Sequence, residues 1–220
     1  PNEDPELAAL KQELCHILIG GHPEFRALAD RYLTIHDLIH VRRRLVGSGR
    51  IGGKAAGMLL ARRILLTHDD GFPFNFAEVM EDHDSFYIGS DVFYSFLVAN
   101  DLFRLRHQLT KSSRMTHEEF AEVERRFLAG DFPQDILEQF RNMLDYFGQA
   151  PIIVRSSSLL EDSIGNAFAG KYRSEFCANQ GDPEQRLRNF LRAVKLVYAS
   201  ALNPTALSYR LRRGLGEGDE

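Results

Sequence analysis

Helical periodicity covers most of this chain and limits the folds that it can adopt. Apolar residues recur every three or four positions over long segments, for example residues 133–147 and 183–202. Strand-like patterns are short and stand at residues 86–88, 151–156 and 170–179. Because so few residues can pair as strands, the sequence predicts an α+β fold that is rich in helix and carries a small sheet.

Composition argues against several classes of protein. The 220 residues are 44% hydrophobic and 26% charged, which predicts a packed core. The net charge of −4 does not favour nucleic-acid binding, and no apolar run approaches the ~20 residues that cross a membrane. The two cysteines, Cys15 and Cys177, are too few for a disulfide framework, so we expect a cytoplasmic protein without nucleic-acid or membrane partners.

A glycine-rich stretch, "GSGRIGGKAAGM", partly matches three phosphate-binding motifs but completes none of them. A P-loop requires a glycine where Ser48 stands and a serine or threonine where Ala55 stands. A dinucleotide-binding turn requires a preceding strand, whereas residues 40–46 make a poor buried strand and no β-α-β alternation follows. A protein kinase requires a later H-R-D motif, which this sequence does not contain.

The same stretch still predicts a glycine turn that places Lys54 at the start of a helix over residues 54–66. Glycines let a backbone approach a phosphate closely, and a helix N-terminus attracts anions. Lys54 is therefore a candidate phosphate ligand. The alternative that these residues leave open is a tight loop with a solvated lysine.

The segment "VRSSSLLEDSIGNAFAGKYRSEF" carries a denser set of polar residues. A strand that the apolar run predicts to be buried ends at Arg155, whose planar guanidinium can bind two phosphate oxygens. Serines follow at once and can add donors, and the glycines beyond them let a loop fold over a ligand. The alternative is an ion pair of Arg155 with Glu161 or Asp162 that fixes a turn.

Other clusters of charged residues predict solvent-exposed helix faces rather than ligand or metal sites. His36 and His40 stand four residues apart with Asp37 between them, but the zinc motif of this spacing has glutamate there and a further ligand is needed. The arginines from Arg42 to Arg44 and from Arg186 to Arg213 are predicted to line solvated helix faces. We therefore expect no metal site in this chain.

Four longer motifs follow one another along the sequence: "GGKAAGM", "DSFYIGSDVFYSFLVAND", "PIIVRSSSLLEDSIGNAFAGKYRSEF" and "AVKLVYASALNPTALSYRLRRGL". In this order they resemble the nucleotide-binding domain of pyruvate phosphate dikinase and phosphoenolpyruvate synthase, and the rifampicin phosphotransferases share these marks. The resemblance extends from about Arg50 to Leu215. It suggests a helical N-terminal extension at 1–46, a nucleotide-binding subdomain at 47–215 and a polar tail at 216–220.

The resemblance implies the first subdomain of an ATP-grasp fold that binds ATP. Lys54 and Arg155 are then expected to contact the nucleotide phosphates, and the loop from Gly165 to Lys171 is expected to close over them. The remaining residues that the resemblance assigns to the nucleotide site are Ser156, Ser157, Glu161, Asp162, Gly170 and Lys171.

The implied activity is transfer of a phosphoryl group from ATP to a histidine carrier, and onward to pyruvate or another acceptor. The alternative is a non-catalytic nucleotide sensor or scaffold within a signalling protein. The chain begins with "PNEDPEL", without methionine, and stops at "GLGEGDE", so we expect a piece of a longer protein. Its expected partners are ATP, the remaining domains of the parent chain and, as an open alternative, a second copy of the chain. The protein ligands of Mg²⁺ are expected outside this piece. The piece by itself is expected to be inactive.

Overall fold

A computed structural model describes residues 5–19, 23–67, 71, 73–81, 84–111, 115–158 and 170–213 of the chain. Most of these residues are helical, and strands form two small two-stranded sheets, which confirms the predicted helix-rich α+β class. The chain divides into two compact units, Pro1–Ser90 and Asp91–Glu220, called here the first and the second unit.

The first unit is a group of helices with one short parallel sheet. Strands β1 and β2 pair in parallel, with Leu45 opposite Tyr87 and Val46 opposite Ile88. The elements in chain order are α1 (Pro5–Ile19), α2 (Pro23–Tyr32), α3 (Ile35–Arg43), β1 (Leu45–Val46), α4 (Gly53–Thr67), α5 (Phe76–Val79) and β2 (Tyr87–Ile88).

A local capping motif fixes the start of α3. Thr34 and Asp37 form a capping box: the Asp37 N–H donates to Thr34 Oγ1 at 3.3 Å, and the Thr34 N–H donates to Asp37 Oδ2 at 2.7 Å.

The helices before residue 47 share one apolar core with the start of α4. The buried residues of this core are Cys15, Leu18, Ile19, Ala29, Leu33, Leu38, Val41, Leu45, Ile51 and Ala56.

The predicted division of the chain at residues 46 and 47 concerns the extent of the nucleotide-binding subdomain, and it stays a prediction. The shared core shows that helices α1 to α3 pack as part of the first unit. Ile51 and Ala56 of the glycine stretch belong to the same core.

The second unit is built around one long helix and an antiparallel strand pair. Strand β3 pairs with β4 so that Ile153 lies opposite Phe176 and Arg155 lies opposite Ser174. The elements are α6 (Ser90–Ala99), α7 (Leu102–Lys111), α8 (His117–Ala129), α9 (Gln134–Phe147), β3 (Ile152–Arg155), β4 (Ser174–Cys177), α10 (Pro183–Ser200) and α11 (Pro204–Arg213).

Helix α10 is the central element of the second unit and packs against α8, α9, β3 and β4. Asp182 caps it by accepting the N–H of Gln185 at 2.8 Å, and Pro183 suits the first turn because it lacks an N–H. Phe190 of α10 lies 5.1 Å from the ring of Phe140 in α9. Since aromatic side chains bury large apolar areas, this contact holds α10 against α9.

The arginines of α10 and α11 are not all solvated, so the sequence expectation is wrong for two of them. Arg186 is 8% exposed and donates from Nη1 to the carbonyls of Leu144, at 3.0 Å, and of Gly148. Arg210 is 1% exposed and donates from Nη2 to the carbonyl of Ala201 at 2.9 Å. The pattern of charges along the helices suggested that these arginines face solvent. The pattern does not reveal the backbone carbonyls that accept their hydrogen bonds, because those carbonyls belong to other parts of the chain.

Replacement of Arg186 by alanine is expected to lower the free energy of unfolding by about 2 kcal/mol. The reason is that hydrogen bonds to a charged group contribute ~1.5–3 kcal/mol, and the substitution removes the bonds of Arg186 to the carbonyls of Leu144 and Gly148. Urea unfolding followed by circular dichroism measures this difference. Arg192→Ala is the matched control, because Arg192 is exposed on the same helix; equal effects of the two changes would show that the contacts of Arg186 are not stabilising.

Candidate functional site

The glycine stretch forms a loop whose middle is fixed in the first unit. Gly47 follows β1 directly and has a φ of 84°, a conformation that favours glycine. Ile51 is 1% exposed, and its N–H donates to the Leu18 carbonyl at 2.8 Å. The Arg50 N–H donates to Ser90 Oγ at 3.1 Å, and the Arg50 carbonyl accepts the Ser90 N–H at 3.0 Å. These bonds give the loop a defined course between β1 and α4.

Lys54 lies at the start of α4, in the position that the sequence predicts. It is the second residue of a 15-residue helix, its side chain is half-buried, and the first turn of the helix contains no acidic residue. A helix N-terminus carries partial positive charge, and a lysine in the first turn adds a full one. This end of α4 is therefore suited to a phosphate group.

The structure corrects one reason for setting the dinucleotide motif aside. A strand does precede the glycines, because β1 ends at Val46, and it pairs in parallel with β2 after α4 has intervened in the chain. The prediction of no β-α-β alternation is therefore wrong, because β1, α4 and β2 follow one another with the two strands parallel. Each strand has only two residues, and an alternation of apolar and polar residues cannot be recognised over so short a strand. In the described part of the first unit this sheet has no third strand.

Arg155 lies at the end of β3, with its side chain exposed. The prediction of a fully buried strand was wrong, since Val154 is 8% exposed but Ile153 is 43% exposed. The alternation arises because one face of the β3–β4 pair packs on α10 and the other does not. Ser156 and Ser157 follow Arg155 and are half-buried, as is Ser158.

Two arginines near this sheet have different surroundings. The Arg173 guanidinium contacts Glu124 Oε1 at 3.1 Å and also contacts the carboxylate of Glu175, so its charge is compensated within the unit. For Arg155, no acidic side chain among the described residues lies within ion-pair distance. Arg155 therefore presents a cation toward solvent in the part of the molecule that the structure describes.

The expected phosphate-covering loop is described only at its C-terminal end. Glu161, Asp162 and Gly165 lie outside the described residues, so the site assignment of these residues and the alternative ion pair with Arg155 both stay untested. Gly170 has a φ of 71°, which favours glycine. The Lys171 carbonyl accepts a hydrogen bond from Asn203 Nδ2 at 2.6 Å.

Further contacts fix the same end of the loop on the helices. Lys171 Nζ lies 5.7 Å from the ring centre of Tyr209 in α11, within the range of a cation–π contact. The Arg173 N–H donates to Ser200 Oγ at 3.0 Å. Sequence reasoning missed Ser200 and Asn203 as positioning residues, because they stand some 30 residues beyond the loop, at a distance of 27 and 32 positions from their partners.

The two histidines of α3 lie on the protein surface. His36 and His40 are exposed, and Asp37 belongs to the capping box with Thr34. Within the described ranges there is no group of three or more histidine, cysteine, aspartate or glutamate residues that could hold a metal ion. Within the same ranges, no helix is long and apolar enough to cross a membrane.

Both cysteines are buried and free, and neither has the surroundings of a reactive thiol. Burial raises the pKa of the Cys15 thiol, with a smaller contribution from the nearby charge of Asp30. Burial also raises the pKa of the Cys177 thiol, and the Glu175 carboxylate acts in the same direction. Since the thiolate is the nucleophile, the raised pKa values do not favour covalent thiol chemistry here.

The comparisons with known proteins identify the family. Residues 48–220 match the family model described as pyruvate phosphate dikinase, AMP/ATP-binding domain. A search of curated proteins and a search of solved structures each found no match. The matched residues include both Lys54 and Arg155, and they make up more than half of the chain. Residues 48–220 match the AMP/ATP-binding domain of the pyruvate phosphate dikinase family, and the chain therefore belongs to that family.

Proposed function

We propose that Arg155 and Lys54 bind the phosphates of ATP, and that the chain is the nucleotide-binding part of a phosphotransferase. The observation that carries this proposal is the setting of Arg155. It is exposed at the end of β3, inside the matched domain, with no described acidic side chain at ion-pair distance. A solvent-facing guanidinium on a nucleotide-binding domain is suited to phosphate oxygens, which it can bind two at a time.

The two cations have different tasks in this proposal. Arg155 orients the phosphates, because its planar guanidinium donates hydrogen bonds in fixed directions that only suitably placed phosphate oxygens can accept. Lys54 stabilises negative charge as a point charge beside the N–H groups of the first turn of α4. Phosphoryl transfer depends mainly on positioning and on neutralising charge, and both are tasks that these groups can carry out.

The proposal assigns the rest of the loop to covering the ligand. The half-buried Ser156 and Ser157 add donors next to Arg155, while Gly170 and Lys171 form the anchored end of the covering loop. Glu161, Asp162 and Gly165, which fall outside the described residues, keep their proposed place in the nucleotide site on the family resemblance alone.

Magnesium, when bound together with ATP, neutralises further charge on the phosphates. The described residues do not supply a cluster of acidic or histidine ligands that fits the ion. Following the family resemblance, the proposal assigns the protein ligands of Mg²⁺ to the rest of the parent protein. The same resemblance supports an ATP-grasp subdomain and a histidine carrier that passes the phosphoryl group to pyruvate or another acceptor. The low cysteine content supports a cytoplasmic location.

The transfer step is tested by labelling the full-length protein with ATP that carries ³²P on its β or γ phosphate. We expect label that is stable to base and labile to acid, as phosphohistidine is, and we expect Lys54→Ala and Arg155→Ala to reduce its rate of formation at least tenfold. Arg192→Ala is the control for the loss of an exposed arginine. Tight ATP binding without any protein-bound label would instead support the sensor or scaffold alternative.

A further inference from the structure

The turn of the glycine stretch is tied at both of its ends to one dipeptide of the first unit. This dipeptide is Gly89–Ser90, which directly follows β2. The Gly89 N–H donates to the Val46 carbonyl at 2.9 Å. The Ser90 N–H donates to the Arg50 carbonyl at 3.0 Å, and Ser90 Oγ accepts the Arg50 N–H at 3.1 Å. Residues 47–49 therefore form a short turn between two fixed points.

The hydroxyl of Ser90 is the part of this arrangement that depends on residue type. The other three bonds described above use backbone groups, which nearly every residue type provides. Ser90 is the first residue of α6, and its exposed side chain contacts a backbone group that stands 40 positions earlier in the chain. Alanine at this position would keep the backbone bonds and lose only the acceptor for the Arg50 N–H.

A second tie follows at the next residue and connects the turn to α4. The Ile51 N–H donates to the Leu18 carbonyl at 2.8 Å, and the Ile51 side chain is 1% exposed. The Gly52 carbonyl already accepts the N–H of Ala56 at 3.0 Å, in the first turn of α4. Because each of these backbones is fixed by a bond, little freedom remains between the tied turn and Lys54.

We propose that Ser90 is a positioning residue for nucleotide binding, because its hydroxyl holds the glycine stretch in the conformation that directs Lys54 at the phosphates. This inference rests on the proposed function of Lys54. A lysine has a flexible side chain, so the place of its amino group depends on where its backbone is held. Groups that are already in place bind a ligand more tightly, because less conformational entropy is lost on binding. Ser90 itself is not expected to touch the nucleotide.

A role of Ser90 in stability alone is the alternative, and Thr116 provides the matched control for it. Thr116 is also exposed at the start of a helix, and its Oγ1 accepts the Glu119 N–H at the same distance of 3.1 Å. Loss of this hydroxyl removes a helix cap, which lowers stability. Thr116 is not bonded to the glycine stretch in either of its capping contacts, so its removal reports a purely structural effect.

Affinities of the full-length protein for ATP and for adenosine test the positioning role. We expect Ser90→Ala to weaken ATP binding about fivefold, the change that loss of one net hydrogen bond produces. Adenosine affinity is expected to stay unchanged, since adenosine has no phosphates for Lys54 to bind. Ser90→Thr keeps a hydroxyl and is expected to bind ATP as the unchanged protein does. Thr116→Ala is expected to alter neither affinity.

A double substitution shows whether Ser90 acts through Lys54. In a Lys54→Ala background, Ser90→Ala is expected to weaken ATP binding by less than about twofold, because the group that it positions is gone. Persistence of the whole loss in this background would overturn the inference. Equal losses for ATP and adenosine, or the same loss from Thr116→Ala, would also overturn it, because a general loss of stability would then explain the result.

Failure of this inference is separable from failure of the proposed function. If Lys54→Ala leaves ATP affinity unchanged, the proposed function of Lys54 is wrong, and the positioning role is wrong with it. If Lys54→Ala weakens ATP binding whereas Ser90→Ala does not, only the positioning role of Ser90 is wrong.

Hydrogen exchange of the ligand-free protein measures the hold on the turn directly. We expect Ser90→Ala to speed amide exchange in residues 47–50, because the bond that restrains them is lost. Ser90→Thr is expected to exchange as the unchanged protein does, and Thr116→Ala is expected to speed exchange at the start of α8 instead. Unchanged exchange of residues 47–50 in Ser90→Ala would contradict the proposal, since the hydroxyl would then not hold the turn.

Discussion

Arg155→Ala is expected to weaken ATP binding about 10- to 100-fold and to leave adenosine binding nearly unchanged. A hydrogen bond to a charged group contributes ~1.5–3 kcal/mol, and adenosine has no phosphates that could lose it. Arg155→Lys is expected to recover only part of the loss, because lysine lacks the planar fork. Calorimetric titration of the full-length protein with ATP and with adenosine measures both affinities.

The alternative role of Arg155 predicts a different pattern. If the guanidinium stabilises a turn through Glu161 or Asp162, its removal lowers the melting temperature of the ligand-free protein and weakens ATP and adenosine alike. Arg192→Ala controls for the loss of an exposed arginine, and Lys54→Ala tests the other proposed phosphate contact. Equal losses for both ligands together with a large loss of stability would leave the phosphate contact of Arg155 unsupported.

Phe140→Ala is expected to lower the free energy of unfolding by about 3–5 kcal/mol. The Phe140 side chain is fully buried, and its ring centre lies 5.4 Å from that of Phe132 and 5.1 Å from that of Phe190. Removal of the ring loses the transfer free energy of its atoms and leaves a cavity between α9 and α10, because the neighbouring side chains relax only in part. Urea unfolding followed by circular dichroism measures the change.

The size of this effect depends on burial rather than on residue type, and Phe103 provides the comparison. Phe103 is 45% exposed on α7, so Phe103→Ala is expected to change stability by less than about 1 kcal/mol. A similar loss in both variants would mean that the aromatic contacts around α10 do not form the core of the second unit.

Helix positions could be predicted because their signals are local in the sequence. The spacing of Thr116 and Glu119 predicts a capping box from the sequence alone, and the structure contains it: the Glu119 N–H donates to Thr116 Oγ1 at 3.1 Å and the Thr116 N–H donates to Glu119 Oε2 at 2.7 Å. Both partners stand within one turn, so the pattern of residue types contains the whole interaction. Lys54 at the start of α4 was predictable for the same reason, since glycines and a helical pattern adjoin it.

The two short sheets show where local patterns fail. Strand β1 has two residues, and it exists because Leu45 and Val46 pair with residues more than 40 positions away. In β3, the apolar run predicted burial on both faces, whereas only one face is covered. A strand's hydrophobicity does not reveal how many of its faces will be packed, because that depends on which elements are laid against the sheet.

The sequence by itself determined the helix-rich class, the position of Lys54 at the start of α4 and the family, because these depend on residues close together or on motifs in a fixed order. The tertiary structure decided which charges are buried and which apolar residues are exposed. Arg186 has carbonyl partners some 40 residues away, and Phe176 is exposed because no described element packs on the side of the β3–β4 sheet opposite α10. Burial is a property of what surrounds a side chain, and for contacts this distant in sequence only the folded chain specifies it.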